Sequence, residues 1–402
     1  MSGRLKRSPS RRPPRDSFSV GQRRSSLVHC RSSLGGKRQR PSHSRHTSGS
    51  NGRRATIKKS YPNKPRVGPV QIIVACDPLK EGAHGCYFQS HDTEWLHDLT
   101  TPFTLAKVDR KSETLLTDSE IKEWQAWMKG MGVKILKPGR SANHWMDDLE
   151  QNVLAYSALG ERYSTLRPFK GYMAFRLKCP KGMTIKMSYD KNKTTEITDT
   201  MLFPQLGCTV DMAHLRERNI NFDMNEFKAV YTNLREAVKL LHKKGLIHRD
   251  IKPQNVVYCK DQSPKHQIKL IDFGLLVKDT KSGCSGTAYY CTKYYKSEMR
   301  ATDDSSWAAD YIEDLIKKWK DQPLEKGLLS TIIKKWKKKH DDALDSVVHR
   351  DDVLKLRHQL NDCYGILCTL LYIVAKHVDK NTTLKMLEDI KNWVVTLIPP
   401  LF

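Results

Sequence analysis

Acidic side chains are nearly missing from the start of the chain. Positions 1 to 67 carry 19 Lys or Arg against the single acid Asp16. Large apolar residues are as scarce there, so the stretch cannot bury enough surface to offset the entropy of ordering it. That excludes a folded N-terminal module and predicts a disordered basic tail over 1–67. The tail supplies +18 of the chain's net +26, leaving +8 for the other 335 of its 402 residues. The ten cysteines include no C-x-x-C pair, which argues against a zinc ribbon and against a disulfide framework. Nor is there a long apolar run: the longest, Ile366 to Ala375, falls well short of the roughly 20 residues that span a bilayer. The N-terminus has no apolar core of secretory type. A soluble intracellular protein with reduced thiols and no membrane contact is the expectation.

What the chain does have is concentrated between His248 and Gly274. Two polar clusters, H-R-D-x-K-x-x-N and D-F-G, flank two β-branched runs, Val256 to Tyr258 and Ile268 to Ile271, separated by the turn-rich Asp261 to Lys265. The pattern predicts a hairpin with a carboxylate at each mouth. Asp250 is suited to accept the proton of an incoming hydroxyl and Lys252 to neutralise a phosphoryl group in flight. Asn255 and Asp272 offer hard oxygen ligands, a sufficient protein share for Mg2+, which keeps water and phosphate in the rest of its shell.

The two clusters together resemble the catalytic and metal loops of the eukaryotic-type protein kinase family, and Lys252 marks its Ser/Thr-directed branch. The resemblance implies an α+β, two-lobed protein-kinase-like fold, with a small antiparallel β-rich N-lobe over 68–206 and a mainly helical C-lobe over 207–402. ATP and Mg2+ would lie between the lobes, and the γ-phosphoryl group would pass to Ser/Thr hydroxyls of protein substrates. Upstream, Leu79 to Tyr87 resembles the glycine-rich loop, with Lys80, His84 and Tyr87 replacing a glycine, an aromatic and a valine. Leu79, Gly82, Gly85 and Tyr87 would then border the nucleotide. Phe103 to Val108 resembles the V-A-I-K strand, which places Ala106 and Lys107 at the nucleotide. Thr200 to Gly207 resembles the linker between lobes, with the adenine edge near Pro204 to Leu206, where proline removes one donor.

A lysine in an apolar strand needs a counter-charge. Glu120 and Glu123 on the helical stretch 118–131 compete for that role with Glu150 on 147–159, where Val153, Leu154 and Ala158 form the core-facing stripe. Glu150 is preferred, because 162–173 reads like the connection to the next strand; the first helix is then an insertion. From Asn225 to Lys244, Phe227, Val230, Tyr231, Leu234, Val238 and Leu241 fall on one helical face, and Gly245 ends the helix.

Beyond the D-F-G cluster, Gly286 to Thr292 resembles the activation segment of the casein kinase 1 and vaccinia-related branch, and no A-P-E follows. Such divergence resembles kinases of large DNA viruses. Either Asp310 or Asp362 opens the apolar central helix of the C-lobe. Asp362 is preferred on burial, which makes 300–360 an insertion. Rival readings are a pseudokinase scaffold, a small-molecule phosphotransferase of similar fold, and a nucleic-acid-binding protein acting through the tail. The tail's basic clusters suit a nuclear-import address read by an importin, a nucleic acid or an acidic partner.

Overall fold

The computed structural model describes residues 70–75, 85–88, 104–136, 142–181, 183–189, 193–207, 210–260, 262–263, 266–278, 283–299 and 310–398. The expected tail over 1–67 and the loop positions Leu79 and Gly82 lie outside them. In chain order the first half runs β1 (Val70–Ala75), β2 (Gly85–Phe88), β3 (Thr104–Val108), β4 (Glu113–Leu115), α1 (Asp118–Met128), β5 (Met131–Leu136) and α2 (Ala142–Tyr163). It continues through β6 (Ala174–Lys178), β7 (Met183–Tyr189), β8 (Lys193–Ile197) and β9 (Asp199–Leu206). Six of these strands make one antiparallel sheet in the order β2-β5-β9-β6-β3-β4, while β1, β7 and β8 form a separate sheet in which β1 and β7 run parallel.

Register decides which side chains share a face, because directly opposed residues point the same way. Lys107 opposes Phe175, Phe175 opposes Leu202, and Leu202 opposes Ile135. These four lie on the outer face. There Leu105, Val133, Phe175 and Leu177 pack against Trp124 and Met128 of α1. Helix α1 starts at a reciprocal cap: the Thr117 hydroxyl accepts from the Glu120 N–H, and the Glu120 carboxylate accepts from the Thr117 N–H. On the other face, Tyr87 opposes Lys134 and Lys134 opposes Phe203. That face carries Leu136, Met201 and Phe203 against Leu149, Ala155 and Leu159 of α2, and its core continues into the helical half. The core stripe of α2 is therefore rotated from the expected Val153, Leu154 and Ala158, which are only partly buried at its margin.

The second half contains β10 (Val210–Asp211), α3 (Met224–Lys243), β11 (Val256–Tyr258), β12 (Ile268–Leu270), α4 (Lys293–Met299), α5 (Tyr311–Lys318), α6 (Pro323–Asp345), α7 (Arg350–Lys376) and α8 (Lys380–Leu397). Strands β11 and β12 form the expected hairpin, with Val256 opposite Leu270. The expected face of α3 is buried, and the helix closes at Gly245 (φ 70°) with Leu246 N–H on Leu241 O at 2.9 Å. Helix α7 is buried around its apolar half, but it begins at Arg350, so Asp362 lies in its middle rather than opening it. The segment expected as an insertion is not loose: Leu315, Trp319, Leu329, Ile332 and Trp336 join the main core. No helix among the described residues is long and apolar enough to cross a membrane.

Candidate active site

Asp362 organises the loop that follows α3. Its carboxylate is fully buried and accepts from the His248 N–H at 2.9 Å, from the Arg249 N–H at 2.8 Å and, at 3.0 Å, pairs with His242 Nε2. Burial alone would raise its pKa, but the His242 hydrogen bond, the charges of His242 and His248 and the backbone donor together hold it below the usual carboxylate range. These donors secure Arg249 in the left-handed region at φ 70°, which a branchless glycine would adopt more readily. The Arg249 guanidinium reaches forward to Leu275 O at 2.6 Å and Gly283 O at 2.8 Å. Gly365, one turn beyond Asp362 on α7, meets the same loop so closely that an added Cβ would strike Ile251 O and lie 2.8 Å from Ile251 Cβ. In the loop itself, Asp250 Oδ2 accepts from Lys252 Nζ at 2.7 Å and Asn255 Nδ2 at 3.0 Å, while Oδ1 accepts from the Thr287 N–H at 2.8 Å. Lys252 Nζ also donates to Thr287 Oγ1 at 2.7 Å. The carboxylate is thus held from three sides, and the Asn255 amide nitrogen is turned toward it, which leaves the carbonyl oxygen of that side chain for a cation.

Asp272 follows β12 at φ 59°, and its Oδ1 meets Lys134 Nζ of β5 at 3.1 Å. The sheet face carrying Lys134 is therefore the one turned to the catalytic loop. Tyr87 stands beside Lys134 on that face, its ring crosses Gly132, and its hydroxyl donates to Leu206 O at 2.7 Å. Lys107 is placed elsewhere. It lies on the opposite face and three strands from β5, about 14 Å at ordinary strand spacing, and its ammonium pairs with Glu120 Oε1 at 2.7 Å.

Residues 182–304 match the protein kinase domain family. A putative serine/threonine-protein kinase, gskl-1, of Caenorhabditis elegans is 31% identical over 108 residues, covering 27% of this chain and 28% of that protein. Aurora kinase of Debaryomyces hansenii is 26% identical over 197 residues, 43% of this chain and 47% of that protein. Each of these matches is to a protein kinase, and the family match lies within residues 182–304. It spans less than half the length of either relative. Among solved structures, the yeast RNA Pol II CTD kinase CTDK-1 complex is similar over 43% of this chain and 49% of that chain, at 16% identity and a TM-score of 0.30, too slight a likeness to carry weight.

The structure brings Asp250, Lys252 and Asn255 together and places Asp272 across the hairpin, but it corrects the expected lysine pair. Lys107 does not meet Glu150. Its partner is Glu120, which also caps α1, and the hydrogen bond from Lys107 together with that cap draws the Glu120 pKa down to about 2. Glu150 sits half exposed with Arg110 at 2.9 Å, and Glu123 likewise with Lys170. Ala106 goes with Lys107 to the far strand and is buried there. Leu206 has both backbone groups engaged, its N–H with Thr165 O at 2.7 Å and its carbonyl with Tyr87, while Pro204 O accepts from the Arg167 N–H. Gly85 pairs in register with Leu136 as part of β2. Between the two candidate braces, Asp362 holds the catalytic loop, while Asp310 caps α5 and pairs with Lys296 at 2.9 Å.

Sequence reasoning missed Lys134, Gly132 and Thr287. Met131-Gly132-Val133-Lys134 keeps the apolar-small-apolar-Lys order of V-A-I-K, which Thr104-Leu105-Ala106-Lys107 does not, and it is the strand that precedes the preferred helix. Among the acids of α2, Asp147, Glu150 and Glu161 are exposed and Asp148 is buried.

Proposed function

We propose that this chain is an ATP-dependent Ser/Thr protein kinase, and the observation that carries the reading is Asp250 held at once by Lys252, Asn255 and Thr287. A carboxylate fixed in this way, with acceptor capacity turned to the cleft, is arranged to take the proton of a substrate hydroxyl. Lys252 lies against the same oxygen and is placed to offset charge on the group in transfer. Lys134 is the lysine placed to hold nucleotide phosphates, since it alone of the two candidates meets Asp272. Asp148 is the α2 carboxylate suited by burial to steady it. Asn255 and Asp272 fit Mg2+, which prefers one or two protein oxygens, and the ion when bound would neutralise phosphate charge. Protein Ser/Thr side chains are the substrates this reading assigns, in line with the named relatives.

Transfer from radiolabelled ATP to basic and acidic model proteins tests it. Asp250→Ala should lower transfer by roughly 10²- to 10⁴-fold while ATP binding survives, because Asp250 faces the hydroxyl rather than the nucleotide. Equal transfer by the variant would remove Asp250 from the chemistry. The basic tail is assigned the role of address or docking segment for an importin, a nucleic acid or an acidic partner, an attraction that weakens with salt. A fusion of residues 1–67 to a fluorescent protein should accumulate in the nucleus or bind a polyanion at low salt, and even spread with no binding would reject that role.

A further inference from the structure

Tyr87 occupies an unusual place on the cleft face of the sheet. Its register partner is Lys134, and Lys134 extends from that face to Asp272. From there the Tyr87 side chain crosses the backbone of β5 at Gly132 and ends on Leu206 O of β9 at 2.7 Å. Gly132 is what allows the crossing: a Cβ there would collide with the Tyr87 hydroxyl and stand 2.8 Å from its Cζ. The phenol thus spans two strands, and it fills the strip where the resemblance to the kinase linker implies the base of a nucleotide. It also engages the last carbonyl of β9, an acceptor that an exocyclic amine entering that strip would need.

We propose that Tyr87 is a gate on the nucleotide site, holding the base slot closed until its ring swings away from Gly132 and Leu206. This rests on the kinase reading and adds to it a residue that sets nucleotide affinity. When only a fraction of molecules is open, apparent affinity falls by that fraction. The hydroxyl's bond to Leu206 is part of what stabilises the closed form, so removing it shifts the population toward open. The ring adds steric filling, so removing both should shift it at least as far.

The test is equilibrium binding of Mg·ATP and Mg·GTP to the full chain and to its Tyr87→Phe and Tyr87→Val variants, with thermal unfolding to confirm that each is folded. Tyr87→Phe should tighten both nucleotides by the same factor, roughly 2- to 10-fold for one net hydrogen bond, and Tyr87→Val by as much or more. Both bases gain alike because the phenol has left before either is seated. Unchanged or weaker binding in folded variants overturns the gate. A gain for ATP alone also overturns it, since the phenol would then stay in place and read the base. If neither wild type nor variant binds any nucleotide and none transfers phosphate, the kinase reading falls and the gate with it, an outcome distinct from normal binding that ignores Tyr87.

Discussion

Two lysines on one sheet, each beside a carboxylate, have opposite meanings here. Lys134 lies on the face that meets the helical half and reaches Asp272, whereas Lys107 lies on the outer face and reaches Glu120 of α1. The local sequences around them are close in kind. What separates them is parity along the strands and position in the strand order, both of which are set by pairing with residues far away in the chain. A motif names the side chain; the register says which way it faces.

The largest expected effect is on that distinction. Lys134→Met should lower phosphotransfer by about 10²-fold or more, the usual consequence of removing a charge that steadies a transferring phosphoryl group, while Lys107→Met should stay within a few-fold of wild type. Radiolabelled ATP transfer under matched folding decides it, and a dead Lys107→Met beside an active Lys134→Met would reverse the two faces. Glu150→Gln serves as the control for a half-exposed pair and should change stability by less than about 1 kcal/mol.

A smaller effect separates the brace of the catalytic loop from the sheet. Asp362→Asn keeps the shape but weakens charge-assisted bonds from His242, His248 and Arg249, and should cost about 2–4 kcal/mol, with a lower melting temperature and slower transfer. An unchanged melting temperature would show that the loop holds its left-handed residue without this anchor.

The smallest concerns the outer pair and its pH range. The Glu120 pKa falls from its ordinary 4.5 to about 2 on folding, so its contribution is fully present above about pH 4.5 and disappears as pH drops through 2. Lys107 is raised above its ordinary 10.5 by the Glu120 hydrogen bond, so its share is complete below that value and is lost only in stronger alkali. Acid unfolding curves of wild type and Glu120→Gln should therefore converge as pH falls from 4.5 to 2 and stay apart at neutral pH. Curves parallel throughout would assign Glu120 to capping alone.

The legible parts of this chain are those whose causes are local. The hairpin, the amphipathic face of α3 with its stop at Gly245, and the polar residues of the catalytic loop are all neighbours in sequence. Asp362 was reachable because the residues that follow it are apolar all round, as in a buried helix. The N-lobe was not legible in the same way. β3 and β4 complete one side of the six-stranded sheet and α1 packs on its outer face, and this capped helix with its paired lysine imitates the expected lysine–acid arrangement. Glu150 lies on the exposed side of α2, because the stripe read from Val153 and Leu154 is about one residue out of phase with the buried Leu149, Asn152 and Ala155.

The bonds from Asp362 to His248 and Arg249 span 114 and 113 residues. During synthesis the catalytic loop therefore leaves the ribosome well before its anchor exists. At about 5–20 residues per second, that interval is roughly 6 to 20 s, during which Arg249 has no reason to hold its left-handed conformation. The chemistry of the site is thus among the last things this chain acquires as it folds, and a product truncated before α7 would carry every motif residue from His248 to Gly274 with nothing to shape them.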